Sequence, residues 1–147
     1  MNSNKKTARV LEDVKINVKM KLSALWVAVM FLYAYADIKA FYKPGHIEEV
    51  MAGEVAGMQF TQAYLLGGAI LMAIPSVMVF LSLTLKPKAN RWANIIVGIF
   101  WVGYDLLMVI STFHTAPAYE IFLGFVYLIF AAPIVWYAWK WPKLESA

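Results

Sequence analysis

The chain has 147 residues, of which 62% are hydrophobic and 15% are charged, whereas soluble domains carry about 25% charged residues. Its apolar residues form four long runs, so an ordinary soluble domain is excluded and an integral membrane protein is predicted. There is no cysteine, which excludes thiol catalysis, disulfides and thiolate metal sites. The net charge of +4 is distributed as on a membrane protein, and no nucleic-acid partner is expected.

The first segment, residues 1–21, is a polar and basic tail that is predicted to lie in the cytoplasm. Apolar residues recur in it at helical spacing, at Val10, Leu11, Val14 and Val18. This pattern favours an amphipathic helix on the membrane surface. A solvated tail is the alternative.

Span 1 is predicted over residues 22–41. A signal peptide is the competing interpretation, because an apolar core is followed by Ala34-Tyr35-Ala36, which is typical of a cleavage site. Hydrophobicity continues past that point at Ile38, Ala40 and Phe41. The continuation favours a membrane span.

The rest of the chain predicts three more spans, over residues 58–85, 92–113 and 119–139. Residues 42–57 form a connection with a short interfacial helix, and residues 143–147 are a cytoplasmic tail. Pro75 lies inside span 2 and predicts a kink or a tilt. Residues 22–142 are therefore expected to be one all-α domain, a four-helix transmembrane bundle.

The orientation follows from the positive charges, which concentrate on the cytoplasmic side of membrane proteins. Six Lys and Arg residues lie in the N-terminal tail, three between spans 2 and 3, and two after span 4. Placing these segments inside puts 11 of the 13 in the cytoplasm. Both termini are thus predicted to be cytoplasmic, with the protein in the prokaryotic cytoplasmic membrane.

Two carboxylates lie within the spans, where each costs about 2.5–3.5 kcal/mol. At 1.5 Å per residue, Asp37 lies about 24 Å from Lys21 along span 1, and Asp105 about 21 Å from Arg91 along span 3. Gln62 and Glu120 open the two other spans on the same side. These groups predict an outward-facing polar pocket at one depth in the bilayer.

Helical spacing places aromatic residues with the acids. Tyr33 shares a face with Asp37, Trp101 shares one with Asp105, and Tyr104 adjoins Asp105. A functional interpretation makes Asp37 and Asp105 a close pair that holds one proton, since two neighbouring charges repel. The alternative is structural: the acids hydrogen-bond to Tyr33, Tyr35, Tyr104 or Gln62.

An internal repeat is also present. Trp26 and Asp37 are eleven positions apart, as are Asn94 and Asp105. Gln62 and Pro75 are thirteen positions apart, as are Glu120 and Pro133. The repeat predicts two similar helical hairpins related by a pseudo-twofold axis along the membrane normal. A weaker pattern, formed by His46, Glu49 and His114, suggests an outward metal site without any family motif.

Four segments resemble a family of small four-span prokaryotic membrane proteins whose function is uncharacterised, similar in layout to the DoxX-like group. They are MKLSALWVAVMFLYAYAD, HIEEVMAGEVAGMQ, LTLKPKANRWANIIVGI and VWYAWKWP. The resemblance implies four spans and a membrane-bound protein. DoxX-like relatives include quinone-linked oxidoreductase subunits, but no catalytic residue or cofactor transfers to this chain.

Three functions are compatible with these patterns. The leading hypothesis is a small transporter or channel-like protein that binds a proton, cation or small lipophilic solute, with Asp37 and Asp105 carrying the charge. The second is a quinone- or lipid-binding oxidoreductase subunit or lipid-modifying enzyme, and the third is a non-catalytic accessory subunit. The lipid bilayer is the expected partner. A homo-oligomer is also expected, because one four-helix bundle is thin for an aqueous channel.

Overall fold

The computed structural model describes residues 14–55 and 57–142. Over these residues the chain forms five helices and one small hairpin: α1 (Val18–Ala40), α2 (His46–Ala52), β1 (Glu54–Val55), β2 (Met58–Gln59), α3 (Gln62–Thr84), α4 (Pro87–Thr112) and α5 (Ala118–Trp139). Helices α1, α3, α4 and α5 are long and apolar enough to cross a membrane. The expected all-α bundle of four spans is confirmed.

Two helices begin before their predicted spans because the residues at their N-termini favour an earlier start. The Asn17 side chain accepts a hydrogen bond from the Lys19 amide, so α1 begins at Val18 rather than at residue 22. Helix α4 begins at Pro87, because proline suits the first helical position, where no amide donor is needed. Residues 14–17 are not helical. The remainder of the predicted amphipathic helix, in residues 1–13, lies outside the described residues.

The connection between α1 and α3 contains α2 and the hairpin. Helix α2 lies between Gly45 and Gly53, which have positive φ angles of 82° and 81° that favour glycine. Strands β1 and β2 pair antiparallel, with Val55 opposite Met58. The predicted start of span 2 at residue 58 is therefore too early, and α3 begins at Gln62, after the cap provided by Thr61.

Helix α1 lies between α3 and α5, and α5 packs along α4. Helices α3 and α4 contact each other only over a short stretch. Helices α1 and α4 run parallel and face each other across the bundle, where Trp26 bonds to Asn94 and Tyr33 bonds to Asp105. Between the hairpin of α1 and α3 and the hairpin of α4 and α5, the contact of α1 with α5 is therefore much longer than that of α3 with α4. The pseudo-twofold axis stays a prediction.

The two ends of the bundle differ in charge. At one end α1 and α4 begin and α3 and α5 finish; we call it the basic end, defined by Lys15, Lys19, Lys21, Lys86, Lys88, Arg91 and Lys140. The other, which we call the connection end, carries α2, the hairpin and the turn between α4 and α5. Many large apolar side chains outside the core are exposed, as lipid-facing residues are.

Candidate functional site

The candidate site is centred on Asp105, a carboxylate in the apolar part of α4. Its residue is 2% exposed. The Tyr33 hydroxyl of α1 donates a hydrogen bond to Oδ1 of Asp105. Oδ2 is buried and has no hydrogen-bond partner among the described residues. One half of the carboxylate is thus satisfied by the protein and the other half is not.

Aromatic rings surround this carboxylate. Tyr33 stacks on Tyr127 of α5, with ring centroids 4.7 Å apart, and meets the edge of Trp101 at 6.4 Å. Trp101 is completely buried, and its ring also contacts Trp26 at 6.0 Å and Tyr104 at 6.4 Å. The indole Nε1 of Trp101 is a second buried polar atom without a partner among the described residues. An unpaired donor and an unpaired acceptor therefore lie one helical turn apart on α4.

Three other predicted site residues lie nearer the connection end. Glu120 is half-buried, accepts a hydrogen bond from the Tyr119 hydroxyl at 2.9 Å and pairs with Lys43 at 3.4 Å. Asp37 is exposed near the end of α1, and Gln62 is exposed at the first position of α3. Glu120 is therefore engaged in an ion pair, whereas Asp37 and Gln62 form no hydrogen bond with other described side chains.

The pairing of Asp37 with Asp105 stays a prediction. No hydrogen bond links the two carboxylates, and Asp105 bonds instead to Tyr33, one turn before Asp37 on the same face of α1. Asp105 bonds to Tyr33 because a tyrosine side chain is long enough to extend from α1 to α4. The aspartate side chain of Asp37 is shorter, and it is exposed near the end of α1. Tyr33 was among the partners expected for a structural role of the acids.

The three metal-site candidates are not gathered around one point. His46 Nδ1 lies 3.9 Å from Glu49 Oε2 within α2. His114 packs its ring against Phe113 in the turn after α4. Among residues 14–55 and 57–142, no three His, Asp or Glu side chains form a cluster that could hold a metal ion.

A second polar cluster lies nearer the basic end and is fully hydrogen-bonded. Asn94 Oδ1 accepts from Trp26 Nε1 at 2.8 Å and from Ser82 Oγ at 3.2 Å. Asn94 Nδ2 donates to the backbone and side-chain oxygens of Asn90, whose own Nδ2 donates to the Ser82 carbonyl. These bonds connect α1, α3 and α4. Sequence reasoning placed Asn94 on the correct face but missed the network, and Asn90 fell in the predicted loop.

A cavity of about 490 Å³ opens between α3 and α4 towards the connection end. It is lined by Tyr64, Gly67 and Gly68 on α3 and by Tyr104 on α4, together with alanine and leucine side chains of α3. It lies where the two helices are separated, and nothing lies within 4 Å of a Cβ placed on Gly67 or Gly68. Tyr104 is the predicted site residue that lines it.

Comparison with known proteins gives a family and no function. The profile of a family of unknown function, DUF6326, matches residues 10–147. The chain belongs to DUF6326. No curated protein and no solved structure matches it. The expectation of an uncharacterised family is therefore confirmed, and the chain is a small integral membrane protein of the DUF6326 family. The likeness in layout to the DoxX-like group stays a prediction.

Proposed function

We propose that this protein is a small transporter or channel-like membrane protein in which Asp105 binds a proton. The observation that carries the proposal is the half-satisfied carboxylate, 2% exposed and with a buried, unpartnered Oδ2. An ionised carboxylate in an apolar interior is costly unless all its oxygens are satisfied. A proton on Oδ2 removes the charge, and the Tyr33 hydrogen bond to Oδ1 can be kept.

A proton fits this site better than a metal cation. Hard cations take six or more oxygen ligands. Among the described residues, the hydroxyl of Tyr33 is the oxygen that contacts the Asp105 carboxylate through a hydrogen bond. Ionisable residues inside membrane spans often mark proton or ion pathways, and the aromatic surroundings of Asp105 suit a neutral, protonated acid.

The proposed route to Asp105 begins at the connection end. Asp37 and Glu120 form its rim there together with Gln62, and the stacked rings of Tyr33 and Tyr127 lie between the rim and Asp105. Tyr104 and Trp101 shape the inner part of the site. With both termini cytoplasmic, which is part of the proposal, this rim faces outward. Assembly into a homo-oligomer would provide the wider path that one bundle lacks.

The test is the Asp105→Asn variant. Infrared spectra of the wild-type protein in vesicles are expected to show a carboxylic-acid C=O band that disappears with rising pH, and Asp105→Asn is expected to lack it. In vesicles with an internal pH dye and an imposed potassium diffusion potential, proton flux by an active wild type is expected to fall at least tenfold in the variant.

The matched control is Glu54→Gln, which removes an exposed carboxylate from the hairpin at the same end. It is expected to keep both the band and the flux. An Asp105→Asn protein that is folded and retains the wild-type band contradicts proton binding at Asp105. Unchanged flux in Asp37→Asn and Asp105→Asn, against an active wild type, contradicts the transport proposal.

The second candidate is binding of a quinone or another lipophilic molecule, as in an oxidoreductase subunit or a lipid-modifying enzyme. The observation that favours it is the cavity between α3 and α4, where Gly67 and Gly68 leave open space beside Tyr104. Ligand pockets are predominantly apolar with a few placed polar groups. A lipophilic molecule in an organic extract of the purified protein, detected by mass spectrometry, would support it; an empty extract from a protein that conducts protons would count against it.

A further inference from the structure

A cavity of about 390 Å³ lies at the basic end of the bundle. It is enclosed by the start of α1, the start of α4 and the segment that follows α5. The residues that matter here are Lys15, Ile16, Asn17, Lys19, Pro87 and Trp141. Its wall is therefore partly cationic and partly apolar.

The surroundings of this cavity carry charge of one sign. The described residues of the basic end, within 14–21, 85–92 and 139–142, include seven Lys and Arg and no Asp or Glu. Repulsion among them is not relieved by any described acid at that end. An anion bound in the cavity would relieve it.

The lysines of the cavity differ in what they already contact. Lys19 Nζ donates to the carbonyls of Leu83 at 3.2 Å and Leu85 at 2.7 Å, so its position is fixed and one of its three donors remains. Lys15 is exposed and donates no side-chain hydrogen bond to another described residue. The cavity thus offers one fixed and one adaptable cation.

Three of the other cations at this end contact aromatic rings or a backbone carbonyl of α5. Lys21 lies over the ring of Tyr137 at 5.2 Å, and Lys140 lies over Trp136 at 4.0 Å. Arg91 Nη2 donates to the Trp139 carbonyl at 3.4 Å. Lys15 and Lys19 are the cations that line the cavity, so they are the pair that it presents to a ligand.

We propose that this cavity binds the headgroup of an anionic phospholipid. Four spans place the basic end at the membrane surface, where headgroups are the most abundant anions. The phosphate would lie between Lys15 and Lys19, and the apolar wall of Ile16, Pro87 and Trp141 would contact the glycerol and the first acyl carbons. Basic pockets between transmembrane helices are known to bind such headgroups. This proposal is independent of proton binding at Asp105.

The test uses native mass spectrometry of the full chain in detergent, titrated with phosphatidylglycerol, phosphatidylcholine or inorganic phosphate. We expect one saturable phosphatidylglycerol adduct that forms at concentrations at least tenfold lower than for phosphatidylcholine. Phosphate alone is expected neither to bind tightly nor to displace the lipid. Lys15→Gln should weaken phosphatidylglycerol binding about fivefold, which corresponds to the attraction of one lysine to anionic lipid.

The matched control is Lys39→Gln, which removes an exposed lysine at the connection end. It is expected to leave phosphatidylglycerol binding unchanged. Lys19→Gln should also weaken binding, but Lys19 contributes to packing, so Lys15→Gln decides the question. Equal binding of the two lipids, an equal loss in Lys39→Gln, or a phosphate adduct that is tighter than the lipid adduct would each overturn the proposal.

Discussion

Two buried polar residues on α4, Asn94 and Asp105, differ in how fully their polar atoms are hydrogen-bonded. Asn94 is completely buried and has its amide oxygen and nitrogen hydrogen-bonded to Trp26, Ser82 and Asn90. Asp105 is as deeply buried but has one unpartnered oxygen. Since buried polar groups are nearly always satisfied, the network of Asn94 indicates a structural role, and the unpartnered oxygen of Asp105 supports the proton-binding site proposed above.

At the residue scale we predict that Asn94→Ala destabilises the folded protein by about 1–2 kcal/mol. The substitution removes hydrogen bonds to α1 and α3 and leaves the Trp26 indole N–H without a partner. Unfolding in increasing mole fractions of sodium dodecyl sulfate, followed by circular dichroism, measures the change. Ser111→Ala is the control, because that hydroxyl is exposed and its hydrogen bond with a described residue is to Met108 of its own helix. A Ser111→Ala loss as large as that of Asn94→Ala would contradict this assignment.

Helix α4 packs closely on α5 but contacts α3 only over a short stretch. A Cβ on Gly98 would lie 2.9 Å from Val135 Cγ2 and 3.3 Å from Ile134 Cγ2, so glycine permits the close approach of α4 and α5. Gly103, on the same helix, has nothing within 4 Å of an added Cβ. The α4–α5 seam is therefore tight, and the separation of α3 from α4 leaves the cavity beside Tyr104.

At the element scale we predict that Gly98→Leu destabilises the bundle by about 1–3 kcal/mol, because an overpacked seam must separate. Gly103→Leu should be neutral or slightly stabilising, since leucine favours helix more than glycine does and meets open space. The same detergent unfolding experiment compares the two variants. Equal effects of the two substitutions would show that the α4–α5 contact does not depend on Gly98.

At the scale of the whole molecule, charge asymmetry predicts the orientation of the bundle. Seven described Lys and Arg residues lie at the basic end, and the connection end carries Lys39 and Lys43. Anionic lipid and the positive-inside tendency both favour the basic end in the cytoplasm. That arrangement would direct the rim residues Asp37 and Glu120 outward.

We predict that intact cells label Thr115→Cys, at the connection end, with a membrane-impermeant maleimide. Ala89→Cys, at the basic end, should be labelled only after permeabilisation. Both positions are exposed, and the chain has no native cysteine to interfere. If intact cells label Ala89→Cys and not Thr115→Cys, the basic end faces outward and the predicted orientation is wrong.

The number of spans and the faces that carry Tyr33, Trp101 and Asp105 were determined by the sequence itself. Both are local properties: a run of apolar residues either matches the bilayer thickness or does not, and helical spacing decides which residues share a face. Helix starts were predicted less accurately, because the Asn17 cap and a proline at the first position of α4 outweighed the hydropathy that defined the spans.

Only the tertiary structure decided which polar groups meet. The hydrogen-bond partner of Asp105 is Tyr33, and Asn94 connects three helices in a network that no spacing along the chain revealed. The open cavity beside Tyr104 and the basic cavity beside Lys15 likewise depend on which helices are neighbours. Helix rotation and separation follow from close packing at residues such as Gly98, and they determine which side chains can reach each other.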